Sequence, residues 1–287
     1  MPFYIFAWIA SFIYGVETIL IKALSKHSVK NPWLLNYLWA AGGVFFIIPL
    51  AFIKKAGFPA RWDIIIYSAL ANAIFSFTYM IALSKIDVSV FSPLFNFKTV
   101  FSVILGFIFL KEILTPIQIF FITVLFLTGF FVSMDEKFSI KSFFNKAVLI
   151  LLFSALLYAV FSVLINQAVV INGYWTSNLW VSIVNLIFLS LTYPLFKKDL
   201  KTLKLVYALP LVIVVLAETI GNLASIKAFS ENVGISSAII SVPFSMLMAI
   251  GLSFIWPNLL EKHKIKVYAV RILSASVMIY AALQLSR

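Results

Sequence analysis

Ten runs of about twenty apolar residues follow one another almost without interruption, over residues 2–24, 33–53, 64–83, 88–110, 116–134, 147–171, 174–196, 205–229, 233–256 and 267–285. An α-helix needs about 20 such residues to cross a bilayer. The runs are continuous rather than alternating, which favours helices over barrel strands with their period of two. Connectors of a few residues make neighbouring helices antiparallel, so the expected fold is an all-α membrane protein of ten transmembrane helices. Of the 287 residues 63% are apolar or aromatic and only 11% charged, with a mean hydropathy of +1.08. Soluble domains run at roughly 45–50% apolar and about 25% charged, which excludes a soluble enzyme, a nucleic-acid-binding domain and a disordered tail.

The net charge of +12 arises from 22 Lys and Arg against 10 Asp and Glu. Most of these cations lie between the apolar runs, where basic loops face anionic headgroups, so the partner they imply is membrane lipid and not nucleic acid. The chain has no cysteine, which removes thiolate metal sites and disulfides. The first run lacks a basic flank and a small-x-small cleavage site, and reads as a retained span.

The longest polar interval, 135–146, falls near the midpoint and reads as a linker between halves 1–134 and 147–287. The halves repeat each other. Ser11-x-x-Tyr14-Gly15 parallels Ala155-x-x-Tyr158-Ala159 at an offset of 144. Pro49-Leu50 before Lys54-Lys55 parallels Pro194-Leu195 before Lys197-Lys198. The stripe Asn72, Ser76, Tyr79 maps onto Glu218, Asn222, Ser225 at an offset of 146, and Ser92 precedes Glu112 as Ser241 precedes Glu261. Five spans per unit is an odd number, so the second copy starts on the side where the first ended. The expectation is two inverted five-helix repeats with a substrate site near the midplane between them, exposed alternately to either side.

The order of ten spans, together with Ala82-Leu83-Ser84, Ser92-Pro93-Leu94 and Phe109-Leu110-Lys111-Glu112-Ile113-Leu114-Thr115-Pro116, resembles the EamA-type permeases of the drug/metabolite transporter superfamily. The Lys111-Glu112 turn is similar to that family's Gly-Glu turn, whereas Trp256-Pro257-Asn258 departs from the pattern in the second half. The resemblance implies export or exchange of a small metabolite and termini inside the cell. Loop charge implies the opposite: five Lys and Arg share a side with the termini and thirteen lie across from them, which by the positive-inside rule puts the termini outside.

An ionisable group at bilayer depth costs at least about 2.5–3.5 kcal/mol on insertion scales, so each one needs a partner, a route to the interface or a function. Lys98 sits mid-span, after Pro93 and Asn96, and is the candidate to hold a substrate carboxylate or phosphate, or to pair with Glu218. Glu17 either pairs with Lys22 or serves as a proton or cation site; Glu218, on a stripe with Asn222, couples protons or balances Lys98. Lys227 is close enough to a span end to snorkel, and Arg271 is assigned to the headgroup region. Tyr14, Tyr158, Tyr79, Trp39 and Trp180 are candidates for an aromatic lining, with Asn96 and Asn222 as polar contacts. Pro93 and Pro243 interrupt corresponding spans, a pointer to a central site.

His27 and His263 are far apart, and no phosphate-binding loop or zinc motif occurs, so no enzyme, cofactor or metal site is expected. The expected function is secondary transport of a small metabolite, such as an amino acid or other carboxylate, by a monomer or homodimer in the cell membrane. The alternatives are a non-transporting scaffold or lipid-binding subunit and, within transport, a sugar-phosphate or nucleotide-sugar antiporter or a lipid-precursor flippase.

Overall fold

Several helices start where a side chain supplies partners for the first free N–H groups. In the computed structural model, which describes residues 2–86, 88–132, 145–201, 203, 205–255 and 265–286, the Asn31 side chain accepts from Trp33 N and Leu34 N at the head of α2 (Pro32–Ile53). Asn145 does the same for Ala147 N at the head of α7 (Lys146–Asn172). At the head of α6 (Pro116–Val132), Thr115 and Gln118 exchange hydrogen bonds, Thr115 N to Gln118 Oε1 at 2.9 Å and Gln118 N to Thr115 Oγ1 at 3.2 Å. This reciprocal box, with proline in the first turn, is a strong local helix start.

The remaining elements are α1 (Phe3–His27), α3 (Trp62–Lys85), α4 (Val88–Phe95), α5 (Phe97–Leu105) running into a π-helical turn (Gly106–Leu110), α8 (Tyr174–Ser190), the short α9 (Lys197–Lys201), α10 (Ala208–Phe229), α11 (Val233–Ile240), α12 (Phe244–Ile255) and α13 (Ile265–Leu285). Gly173 joins α7 to α8 with φ of +83°, a conformation open to glycine and strained for other residues.

By length and composition, six helical stretches can cross a membrane: Phe3–Lys26, Pro32–Ile53, Trp62–Lys85, Lys146–Asn172, Ala208–Phe229 and Val233–Leu252. The sequence predicts ten. The fourth apolar run is divided at Asn96 into α4 and α5. The seventh stops at Ser190 and turns into a short 3-10 segment around Pro194. The fifth and tenth contribute the shorter apolar stretches Pro116–Gly129 and Ala269–Leu285. The expected linker 135–146 lies, apart from its last two residues, outside the described residues.

Helix contacts between the two halves come in matched pairs. α3 packs on α7 as α10 packs on α1; α3 meets α8 as α10 meets α2; α5 meets α7 as α12 meets α1; and α5 meets α11 as α12 meets α4. The contacts of α2 with α8 and of α6 with α13 are their own counterparts. The matching reaches single hydrogen bonds. Lys22 Nζ, on α1, donates to Leu83 O at 2.9 Å and Ile86 O at 2.8 Å, satisfying carbonyls at the end of α3. Asn166 Nδ2, on α7, donates to Phe229 O at 2.7 Å at the end of α10. Free carbonyls at a helix end favour a cation or amide donor, and both halves place one there.

Arg271 departs from its sequence expectation, while Lys22, Glu17 and Lys227 gain defined partners. Lys22 caps α3, and Glu17, its expected partner, takes a hydrogen bond from Trp39. Arg271, assigned from sequence to the headgroup region, is buried at 2% exposure, while Val270, Ile272 and Leu273 beside it on α13 are exposed. Lys227 pairs with Glu231 one turn on, at 3.4 Å, with both side chains about half exposed.

Candidate functional site

The two broken helices face one another across the middle of the bundle, since α4 touches α12 and α5 touches α11. Breaking a helix within a membrane frees backbone groups that need partners. The chain stops α11 at Ser241 and resumes at Phe244, just after Pro243, as expected where the residue before proline is driven out of the helical region. Ser11 Oγ, from α1, lies 3.3 Å from Ile240 O and 3.4 Å from Val242 O, so its one proton can go to either carbonyl at the break. Thr99 Oγ1 donates to Ser237 O at 3.3 Å, tying α5 to α11.

Between these breaks lies a cavity of about 100 Å³. Residues from both halves line it, among them Ser11, Tyr14, Glu17, Trp39, Asn72, Tyr79, Asn96, Lys98, Tyr158, Asn185, Glu218, Asn222 and Ser245. Nine of the ten residues nominated from sequence therefore share one space. Trp180 does not. Its Nε1 donates to Gly57 O at 2.8 Å, and its ring stacks on Phe58 and meets Trp62 edge-on, which anchors the loop between α2 and α3.

Lys98 is 4% exposed. Its Nζ lies 4.6 Å from the ring centres of both Phe95 and Tyr158, and among the described residues no carboxylate comes within 4.0 Å. Two ring faces each supply about 0.5–2 kcal/mol. That is less than the several kcal/mol that desolvation of an ammonium costs. The position is electrostatically set for an anion. Two residues before it, Asn96 Nδ2 is buried without a protein partner among the described residues.

The acidic side of the cavity is built on other elements. Glu17 is 4% exposed and accepts from Trp39 Nε1 at 2.6 Å. Glu218 is its electrostatic neighbour and rests against α2 at Gly43, where an added Cβ would lie 3.1 Å from Glu218 Oε2. Thr18 links this end to the aromatic layer through Tyr79 OH at 3.2 Å, and Tyr14 OH shares a hydrogen bond of 2.9 Å with Ser225. Asn185 Oδ1, from α8, is buried without a protein partner among the described residues.

Asn185, Phe75, Phe91 and Phe95 line the cavity without having been singled out in the sequence. An amide inside the seventh apolar run was a usable signal for Asn185. The three phenylalanines had none, because they are among 30.

Residues 1–134 match the model of the EamA-like transporter family. The match covers most of the amino-terminal half and no more of the chain. No curated protein matches the sequence. Twenty-eight chains of solved structures match its fold. One, described as "Crystal structure of protein", superposes with a TM-score of 0.61 at 14% identity, covering 96% of this chain and 99% of its own. At that identity the likeness is one of fold. The chain is thus a multi-pass membrane protein whose first half is EamA-like.

The turn that carries the family resemblance has a structural task across the interface between halves. Lys111 adopts a left-handed conformation, φ +56°, and Glu112 reaches the head of α11. Its carboxylate accepts from Val233 N at 2.5 Å and Gly234 N at 2.9 Å. Glycines flank it on both sides: a Cβ would lie 2.8 Å from Oε2 at Gly106 and 3.1 Å at Gly234, so a side chain at either position would push on the carboxylate. Burial holds the Glu112 carboxyl above the usual range, with the two N–H groups pulling the other way. The EamA-like half thereby caps the first helix of the broken pair in the other half.

Proposed function

We propose that the chain is a secondary transporter that moves a small carboxylate-bearing metabolite, amino acids included, by alternating access between two inverted five-helix repeats, residues 1–134 and 147–287. Support for the repeat comes from the matched helix contacts, from the paired caps of Lys22 and Asn166, and from the two helices broken at corresponding places. Helices interrupted in this way are the usual setting of a midplane transport site.

The observation that carries the reading is Lys98: a buried ammonium, free of any carboxylate within 4.0 Å among the described residues, on the wall of a cavity shared by both halves. It binds the substrate anion, with Asn96 as a second donor. Glu17 and Glu218 carry coupling protons or balance charge, and Tyr14 and Tyr158 line the path. A scaffold or lipid-binding subunit would be packed dry through its centre, and the polar cavity argues against that. Lipid-precursor flipping calls for a lateral opening. The apolar groove on the outside, between Phe6, Trp175, Ile220 and Lys227, shares no lining residue with the cavity.

Lys98→Ala in proteoliposomes tests the proposal. Uptake and efflux of a metabolite mixture should cease while the purified variant keeps its helical content and monodispersity; unchanged kinetics would remove Lys98 from the site.

A further inference from the structure

The cavity carries two unlike poles that do not neutralise each other. Lys98 stands on α5, which packs on α7 and α11, whereas the carboxyl end is assembled from α1, α2 and α10, with α8 packed on the last two. Between them lies a layer of rings. Lys98 Nζ sits 4.6 Å from the Phe95 ring centre, Phe95 lies 5.3 Å from Tyr79, and Tyr79 OH reaches Thr18, the neighbour of Glu17, at 3.2 Å. Two buried amide atoms on the lining have no protein partner among the described residues: the Asn96 Nδ2 donor, two residues from Lys98, and the Asn185 Oδ1 acceptor on α8, which packs on α2 and α10. A simple anion would answer only the first pole and a simple cation only the second. Buried polar groups left unanswered are costly, which is how such sites reject the wrong ligand.

We propose that the site selects an extended zwitterion, with a carboxylate held by Lys98 and Asn96, a primary ammonium held by Glu17, Glu218 and Asn185, and an apolar spacer crossing the aromatic layer between them. The proposal rests on the cavity being the substrate site of the transporter inferred above. It names an ω-amino acid, or a molecule of the same reach, in preference to a short α-amino acid. In the latter both charges sit on one carbon, so one pole is left unfilled.

Binding to the purified full-length protein, read by calorimetry, separates these ligands without any substitution. The probes are hexanoate, hexylamine, glycine, 4-aminobutyrate and 6-aminohexanoate. The longer ω-amino acids should bind at least about tenfold more tightly than hexanoate, hexylamine or glycine, the gain expected from a second charged contact. Lys98→Ala should reduce 6-aminohexanoate to the affinity of hexylamine, and Glu17→Gln with Glu218→Gln to that of hexanoate. Equal affinity for hexanoate and 6-aminohexanoate, tightest binding by glycine, or no binding by any probe overturns the proposal. The transport reading is judged separately, by flux of a metabolite mixture through wild-type and Lys98→Ala proteoliposomes. Lys98-dependent flux with no preference for ω-amino acids leaves the transporter standing and removes the zwitterion; preferential binding without flux does the reverse.

Discussion

At the break between α4 and α5 the cavity is met by Asn96 and Lys98, while at the break between α11 and α12 it is met by Ser241, Val242 and Ser245. In the register that pairs Ser92 with Ser241, the counterpart of Lys98 is Leu247, a residue packed against Met246, Ile250 and Ala275. The same asymmetry recurs around the cavity. Glu17 corresponds to Phe161 at the offset of Tyr14 and Tyr158, and Glu218 corresponds to Asn72. Both uncharged counterparts line the cavity. In the proposed repeat the two copies build one frame, and each charge in the cavity belongs to only one of them. On that proposal, symmetry provides the hollow and divergence between copies provides its charges.

The largest expected effect breaks this asymmetry directly. Lys98→Ala should lower kcat/KM for transport by about 100-fold or more, the scale of a lost charge-assisted contact. Adding Leu247→Lys should not restore it, because that side chain is directed into an apolar cluster. Recovery of flux by the double variant would show that the copies are interchangeable.

Next is the capping turn. Glu112→Ala strips two N–H partners from the head of α11 and should destabilise the protein by about 1–2 kcal/mol, seen as a lower thermal midpoint in detergent. Glu112→Gln, which can accept from only part of the pair, should fall between.

The legible part of the fold was the part that depends on composition. Runs of twenty apolar residues mark helices because the bilayer demands them; the helix starts at Asn31, Thr115 and Asn145 emerged only in the fold. Helix interruptions were harder to place. Pro243 marks the α11–α12 break, but in the other half α4 continues past Pro93 and yields at Asn96, since the break is set by packing of α4 on α12 and α5 on α7 and not by proline alone. The charged and tyrosine lining could be read from the cost of burying such groups. The phenylalanine layer could not, for apolar rings face lipid and cavity alike. Trp180 failed for the same reason: its indole serves a loop. The task of Glu112 needed the fold, because its partners lie 121 and 122 residues away.

A smaller effect sharpens the comparison between caps. Lys22 brings a full charge to two carbonyls at the end of α3, and Asn166 brings a neutral amide to one at the end of α10. Lys22→Ala should cost about 2 kcal/mol and Asn166→Ala about 1 kcal/mol in equilibrium unfolding. Equal costs would mean that the cation contributes nothing beyond its hydrogen bonds.

The smallest concerns Ser11, whose counterpart is Ala155. Ser11→Ala removes the hydroxyl that donates to either carbonyl at the α11–α12 break and should cost about 0.5–1 kcal/mol, with Ala155→Ser leaving the thermal midpoint within a degree or so of wild type.

The natural chain has no cysteine, so a single one can report on the cavity. Ser245→Cys in oriented vesicles, exposed to a membrane-impermeant thiol reagent from one face at a time, asks whether the space between the broken helices opens in turn to both sides. Alternating access predicts labelling from each face, slowed from both by saturating substrate. Labelling confined to one face, whatever the substrate gradient, would contradict it.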